Sequence, residues 1–396
     1  MTALHRSLTL LATAQALLLT NGVTLVAINA LAGYALAPDK RLATLPVVGY
    51  VLGSAASTLP ASLFMRRHGR RAGFMLGACC GMLGGAIGAL AIFRQDFWLL
   101  CGATFCSGIY HAFGQYFRFA AAEVVPTEWK SRAISLTLAG GIVGGFIGPA
   151  VGKLTRDLLA PQYVASYASL IGFALASLAI AASLRFPPAA AEEQHGVGRP
   201  LAEIARQPVF IVAVLAAAIG YGVMNLLMNA TPLAMDFCGL GFGDTALVLQ
   251  WHVIGMFAPS FLTGHLISRF GITSILLAGA ALMAGCIVIA LAGVTLLHFW
   301  WSLLLLGIGW NFLFVGGTTL LTEAYTPAEK ARTQGLNDFL MFFVMGASSF
   351  GSGLLVTSAG WSVLNQVALP FVALTALASA TLWLRRRGRR GETQDP

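Results

Sequence analysis

Residues 62–71 read SLFMRRHGRR, with four arginines and a histidine inside six positions, wedged between two apolar runs. The run before them covers 43–65 and the run after them 72–93. A helix of about 20 apolar residues crosses the hydrocarbon core of a bilayer, so each run is long enough to span. Clustered fixed charge is costly in hydrocarbon, so the chain surfaces at 66–71 and turns back. Working outward from this turn gives the same alternation along the whole chain. Apolar segments fall at 7–34, 43–65, 72–93, 97–123, 133–156, 163–185, 208–234, 244–268, 273–296, 298–322, 333–358 and 361–384. Each is expected to be helical, because lipid offers no partner to a bare backbone amide. Composition agrees: 57% of the 396 residues are hydrophobic and 10% are charged, against about 25% charged in soluble domains.

Lysine and arginine placement gives an expected orientation. With the N-terminus inside, 18 of the 24 basic residues lie on the cytoplasmic side, 5 lie outside, and Arg118 falls within a span. The net charge of +9, including the RRRGRR tail at 385–390, is thereby read as a topology determinant and not as a nucleic-acid patch. Both termini are expected in the cytoplasm, with the chain in a cytoplasmic (inner) membrane. The first apolar run is too long for a cleaved signal, so it is read as a retained helix. Five of the six cysteines sit in apolar stretches without metal-ligand spacing, and neither metal nor cofactor is expected.

The longest connection is PPAAAEEQHGVGRPLAEIARQP at 186–207. It divides the chain into an N-terminal six-helix bundle at 1–185, a central cytoplasmic loop at 186–207, a C-terminal six-helix bundle at 208–384 and a basic tail at 385–396. The halves repeat. Glu123, Lys130 and Arg132 follow the fourth segment, and Glu323, Lys330 and Arg332 follow the tenth at an offset of 200. RRHG at 66–69 and SRFG at 268–271 match at an offset of 202. The expected fold is an all-α integral membrane protein of twelve helices in two pseudo-symmetric bundles, related by an axis along the membrane normal.

These features resemble the major facilitator superfamily over all twelve segments. That family carries a signature between spans two and three, approximately Gly, three residues, Asp-Arg, one residue, Gly-Arg-Arg. Here Arg67, Gly69, Arg70 and Arg71 fit it, while Ser62 replaces the first glycine and Arg66 stands at the aspartate position. The second-half counterpart, GHLISRFG, keeps Gly264, Arg269 and Gly271 but has Ser268 at the acid position. A second family signature, in the fifth span, is intact as Gly144, Gly148, Pro149 and Gly152. The family associates it with proton-exchanging exporters. Its physical reading is a flat face for close helix contact, bent at Pro149.

Polar residues inside membrane helices mark the candidate site. In the fourth segment Thr104, Ser107, His111, Gln115 and Arg118 are spaced 3, 4, 4 and 3, which puts them on one helical face. The resemblance implies that spans one, four, seven and ten line a central cavity. Candidate lining residues are therefore Asn21 on the first, Tyr221, Asn225 and Asn229 on the seventh, and Trp310 and Asn311 on the tenth, with His252 added from the eighth. Asparagines in such helices also simply bond to a neighbouring helix. His111 can change charge near neutral pH. Arg118 stays charged and needs a partner, either an anionic substrate group or a buried acid. Glu123 and Glu323 at span ends are expected to latch onto nearby arginines. Asp338, about 9 Å inside the eleventh span, is read either as a protonation site or as part of the cytoplasmic gate.

The functional expectation is a secondary transporter working by alternating access on a small organic solute, driven by protons. No nucleotide-binding loop is present, and no nucleophile–base pair or metal cluster points to an enzyme. Export of amphipathic compounds is the main reading; uptake of an organic anion or vitamin-like metabolite is the alternative. A monomer is the family expectation.

Overall fold

The computed structural model describes residues 3–126, 130–184, 186, 199–326 and 329–392. Arg185 lies outside them, as do the side chains of Arg66, Lys130, Arg132 and Lys330 and most of the central loop. Helix occupies all twelve expected positions. Among the described residues, nine helices are long and apolar enough to cross a membrane, or ten if a bent pair counts as one span. That pair is the eighth segment, Phe242–Phe257 and Ser260–Phe270, bent by 42°. The bend falls at Ala258-Pro259, where the proline ring removes a backbone donor. The fourth segment is also broken, into Phe97–Gly114 and Phe117–Glu123. The fifth is Lys130–Thr155.

The second and third segments form one continuous chain of helix, Leu45–Arg94, kinked at Gly69 with φ 85° and ψ 159°. Gly271, at the matching turn of the second half, has φ 84° and ψ 151°. A side chain is disfavoured at either position, so the two halves repeat in backbone conformation as well as in sequence. A Cβ at Gly69 would meet nothing within 4 Å. The cost of Gly69→Ala is therefore conformational, about 1–2 kcal/mol, and thermal unfolding in detergent should show a Tm lower by a few degrees.

Helices one to six pack on one another, as do seven to twelve. Between the bundles, the first helix packs on the seventh, the fifth on the eighth and the second on the eleventh. Several specific contacts across this boundary lie at the end opposite the chain termini, and the fifth and eighth helices also meet nearer the middle, where Gln250 donates to the Phe146 carbonyl at 2.8 Å. Thr44 donates to the Ser349 carbonyl at 2.8 Å and accepts from the Gly353 amide at 3.0 Å. The Arg156 guanidinium lies 5.2 Å from the Phe242 ring, and Tyr34 meets Phe237 edge-on at 5.3 Å. One apolar core runs from Leu25, Ile28, Leu100 and Tyr167 of the first bundle into the second bundle. A separate core, around Leu11, Phe74, Phe113 and Phe117, fills the first bundle towards the termini. The bundles thus touch at the distal end, while the ion pairs Arg70–Glu123 and Arg386–Glu323 at the terminal end each stay within one bundle. Outward faces carry side chains such as Phe339 and Phe343, each 67% exposed, as lipid contact requires.

Candidate functional site between the bundles

The broken fourth helix sets the first-bundle wall. His111 Nδ1 lies 3.1 Å from Ser54 Oγ on the second helix, and His111 Nε2 lies 2.9 Å from Gln115 Nε2. With the Gln115 amide donating to Nε2, the imidazole is neutral and Nδ1–H donates to Ser54. The Tyr50 ring is 5.3 Å away. Tyr50 and Ser54 were not legible as site residues, although Tyr50, Ser54 and Thr58 are spaced four apart and hold one face of the second helix. Thr58 completes that face by offering its carbonyl to the Tyr116 hydroxyl at 3.0 Å, beside the helix break.

The facing wall comes from the seventh and tenth helices. Trp310 stacks on Phe314 at 5.0 Å with 7° between planes, and Tyr221 meets Trp310 edge-on at 5.1 Å. Tyr221 lies within electrostatic reach of both Tyr50 and Arg118. Arg118 is half-buried, its guanidinium 4.9 Å from the Phe119 ring, and its Nε has no hydrogen-bond partner. Asp338 faces it from the opposite bundle without closing an ion pair, and its side chain is exposed.

The remaining lining candidates divide by how they are bonded. Asn21 donates to the Leu170 carbonyl at 3.3 Å and joins the first helix to the sixth. Asn311 is saturated: its Nδ2 reaches the Met256 carbonyl at 2.7 Å and Ser260 Oγ at 2.6 Å, and its Oδ1 accepts from Thr263 at 2.7 Å. These bonds bridge the break in the eighth helix, where a freed carbonyl needs a donor. His252 is fully buried, with Nδ1 2.7 Å from the Leu303 carbonyl and Nε2 unpartnered. Asn229 donates to Ser349 Oγ at 3.2 Å and leaves Oδ1 unpartnered; Asn225 Nδ2 and Trp310 Nε1 are also unpartnered.

At the terminal end, Arg70 holds Glu123 through two bonds, at 2.6 and 3.2 Å, and Arg386 holds Glu323 at 2.5 Å. Arg67 and Arg71 are exposed, and Arg269 lies 5.3 Å from the Phe270 ring. In the fifth helix, Gly144 and Gly148 abut Leu19, Thr20 and Val23 of the first, and Gly148 accepts from Thr24 at 2.9 Å. A Cβ at Gly152 would make only ordinary contact, with Phe242 and Ile28.

One latch has no counterpart in the sequence reading. Glu329, 2% exposed, accepts from Arg199 Nε and Nη2 at 2.9 Å each, from the Thr326 amide at 2.9 Å and from the Arg199 amide at 2.7 Å. The guanidinium bonds, then the two amides, hold its carboxyl well below the ordinary carboxylate value of 4.5. Because the folded value is depressed, the stabilisation is complete above that ordinary value and is lost only as pH falls below it towards the folded one. Glu329→Gln should therefore lower the Tm by a constant amount between about pH 8 and 5, and the gap to wild type should narrow below about pH 4. A pH series of unfolding curves checks this.

The Major Facilitator Superfamily model matches residues 10–350. The chain is 41% identical over 394 residues to the riboflavin transporter RfnT of Brucella anthropi, covering 99% of both chains. It is 28% identical to the uncharacterized MFS-type transporter YddS of Bacillus subtilis, covering 91% of this chain and 87% of that one. Among solved structures it resembles a D-xylose–proton symporter, with TM-score 0.75 at 15% identity over 96% of this chain and 98% of that one. It also resembles a bacterial homolog of the human lysosomal transporter Spinster in an inward-facing, unoccupied conformation, with TM-score 0.70 at 14% identity over 98% of both. A repeated two-bundle fold, polar and aromatic side chains where the bundles meet, and a family match along most of its length agree: this multi-pass membrane protein is a transporter of the major facilitator superfamily.

Proposed function

We propose that the chain carries riboflavin, or a flavin of the same ring system, into the cell across the cytoplasmic membrane. The observation that carries this reading is end-to-end similarity, at 41% identity, to a riboflavin transporter. The aromatic side chains of the seventh and tenth helices support it chemically. Tyr221, Trp310 and Phe314 cluster there, a composition that suits a planar heteroaromatic ring once the cluster opens. The drug-export expectation gives way to its vitamin-uptake alternative. Export leaned on the fifth-helix signature, and the close contacts of Gly144 and Gly148 with the first helix account for those glycines as packing.

With the termini in the cytoplasm, the distal seal is extracellular and the bundles open inward. In the outward-open state the terminal ends must close instead. Arg118 and Asp338 then form the charge pair that draws the bundles together there, and protonation of Asp338 releases it, coupling movement to the proton gradient. The test is growth and uptake in a bacterial strain unable to synthesise riboflavin. Cells producing the chain should grow on, and accumulate, labelled riboflavin at external concentrations that fail to support the parent strain. Growth equal to the parent, with the protein present in the membrane, rejects the reading.

A further inference from the structure

Thr44 stands at the N-cap of the second helix, Leu45–Arg94. A threonine there ordinarily accepts a hydrogen bond from an amide of its own first turn. Thr44 makes no such bond. Its side chain reaches instead into the eleventh helix, Lys330–Ser358, of the other bundle. The hydroxyl donates to the Ser349 carbonyl at 2.8 Å and accepts from the Gly353 amide at 3.0 Å. Those two groups are four residues apart, so they are the two ends of one rung of the eleventh helix's own ladder. The Ser349 carbonyl also accepts from Ser352 Oγ at 2.7 Å, which fills its second lone pair. The contact is enclosed and fitted. Thr44 is 1% exposed, Ser349 is fully buried, and a Cβ at Gly353 would collide with Thr44 Oγ1. Asn229 of the seventh helix donates to Ser349 Oγ at 3.2 Å and steadies the receiving residue from within its own bundle.

A buried ion pair joining the bundles here would orphan two charges each time it broke. This contact has a fallback on both sides. When Thr44 withdraws, the Gly353 amide and the Ser349 carbonyl have each other, and the hydroxyl has the free amides at the start of its own helix. We infer that Thr44 is a positioning residue for transport: its hydroxyl holds the bundles together at the distal end by occupying one rung of the eleventh helix, and opening of that end returns the rung to the helix. No buried group of the contact is left unpaired in either state, which suits a contact that must form and break in every cycle. The inference goes beyond the flavin reading and holds for any substrate.

The test is hydrogen–deuterium exchange of the purified full-length protein in detergent, read by mass spectrometry at both ends of the molecule. Thr44→Ala loses the bridge while the eleventh helix keeps its rung. Amides of the distal segments 37–46 and 350–360 should exchange about fivefold faster, the value of one net hydrogen bond. Because the bundles rock as units, the segments carrying Arg118 and Asp338 at the terminal end should exchange more slowly. Fraying of a local contact produces no such slowing. Thr44→Ser keeps the hydroxyl and should match wild type. Gly353→Ala keeps Thr44 but fills its space, and should shift both ends as Thr44→Ala does. Wild-type exchange in either Thr44→Ala or Gly353→Ala, or faster exchange at the distal end with no slowing at the terminal end, overturns the inference and leaves the flavin reading untouched.

Discussion

Arg118→Gln should leave riboflavin affinity within about twofold of wild type and lower the rate of riboflavin counterflow by about tenfold or more. Riboflavin carries no charge at neutral pH, so a substrate-binding role gives Arg118 nothing ionic to hold. What the guanidinium does have within electrostatic reach is Asp338 of the other bundle, with which it forms no ion pair in this structure. Breaking a buried pair by removing one partner costs about 3–5 kcal/mol. Here Arg118 is half-buried and Asp338 is exposed, so the state seen in this structure should lose much less. The loss falls on the state in which the terminal ends close. Each 1.4 kcal/mol there is about a factor of ten in population. Adding Asp338→Asn to Arg118→Gln should recover part of the exchange rate, because it removes the orphaned carboxylate. Counterflow suits the test because exchange needs no net proton movement. If riboflavin binding collapses together with exchange, Arg118 contacts the substrate and the gate account fails.

Gly148→Leu should strongly destabilise the folded protein itself. A Cβ at this position would come within 2.9 Å of Val23 Cβ and 3.0 Å of the Thr20 carbonyl and Thr24 amide. Backbone atoms do not swing aside as a flexible side chain does, and overpacking a fitted interface costs about 1–3 kcal/mol or more. The first helix would have to move away, breaking the bond from Thr24 to the Gly148 carbonyl. The expected result is a sharp fall in monodisperse protein on size exclusion and a lowered Tm. Gly172→Leu is the control, since a Cβ there meets nothing within 4 Å; it should behave as wild type. A Gly148→Leu protein that is fully stable but inactive would instead give the fifth-helix glycines a transport role beyond packing.

The positions of the twelve helices were legible because two coarse signals fix them, apolar length and the arginine clusters that must leave the bilayer. The matched turns were legible too, as the shared positive φ of Gly69 and Gly271 bears out. The bend in the eighth helix was not drawn from the sequence, though Pro259 stood in view. The break leaves the Met256 carbonyl to a donor on a neighbouring helix, here Asn311 of the tenth, and sequence does not show which neighbour stands there. The same limit applies to the site. Sequence spacing puts His111, Gln115 and Arg118 on one face, but it does not say that Asn311 spends every hydrogen bond on its neighbours while Asn225 spends none. Periodicity orders residues along one helix; which of them keep free atoms depends on the adjacent helices. The Arg199–Glu329 latch shows this most plainly, because it joins a central linker to a loop 130 residues away.

The measurement that bears most directly on the account is riboflavin accumulation in proteoliposomes containing only this protein, with an imposed pH gradient. The account predicts concentrative uptake into vesicles that are acidic outside, abolished by a protonophore and absent from protein-free vesicles. Riboflavin flux no faster than in protein-free vesicles, in either direction, would contradict it.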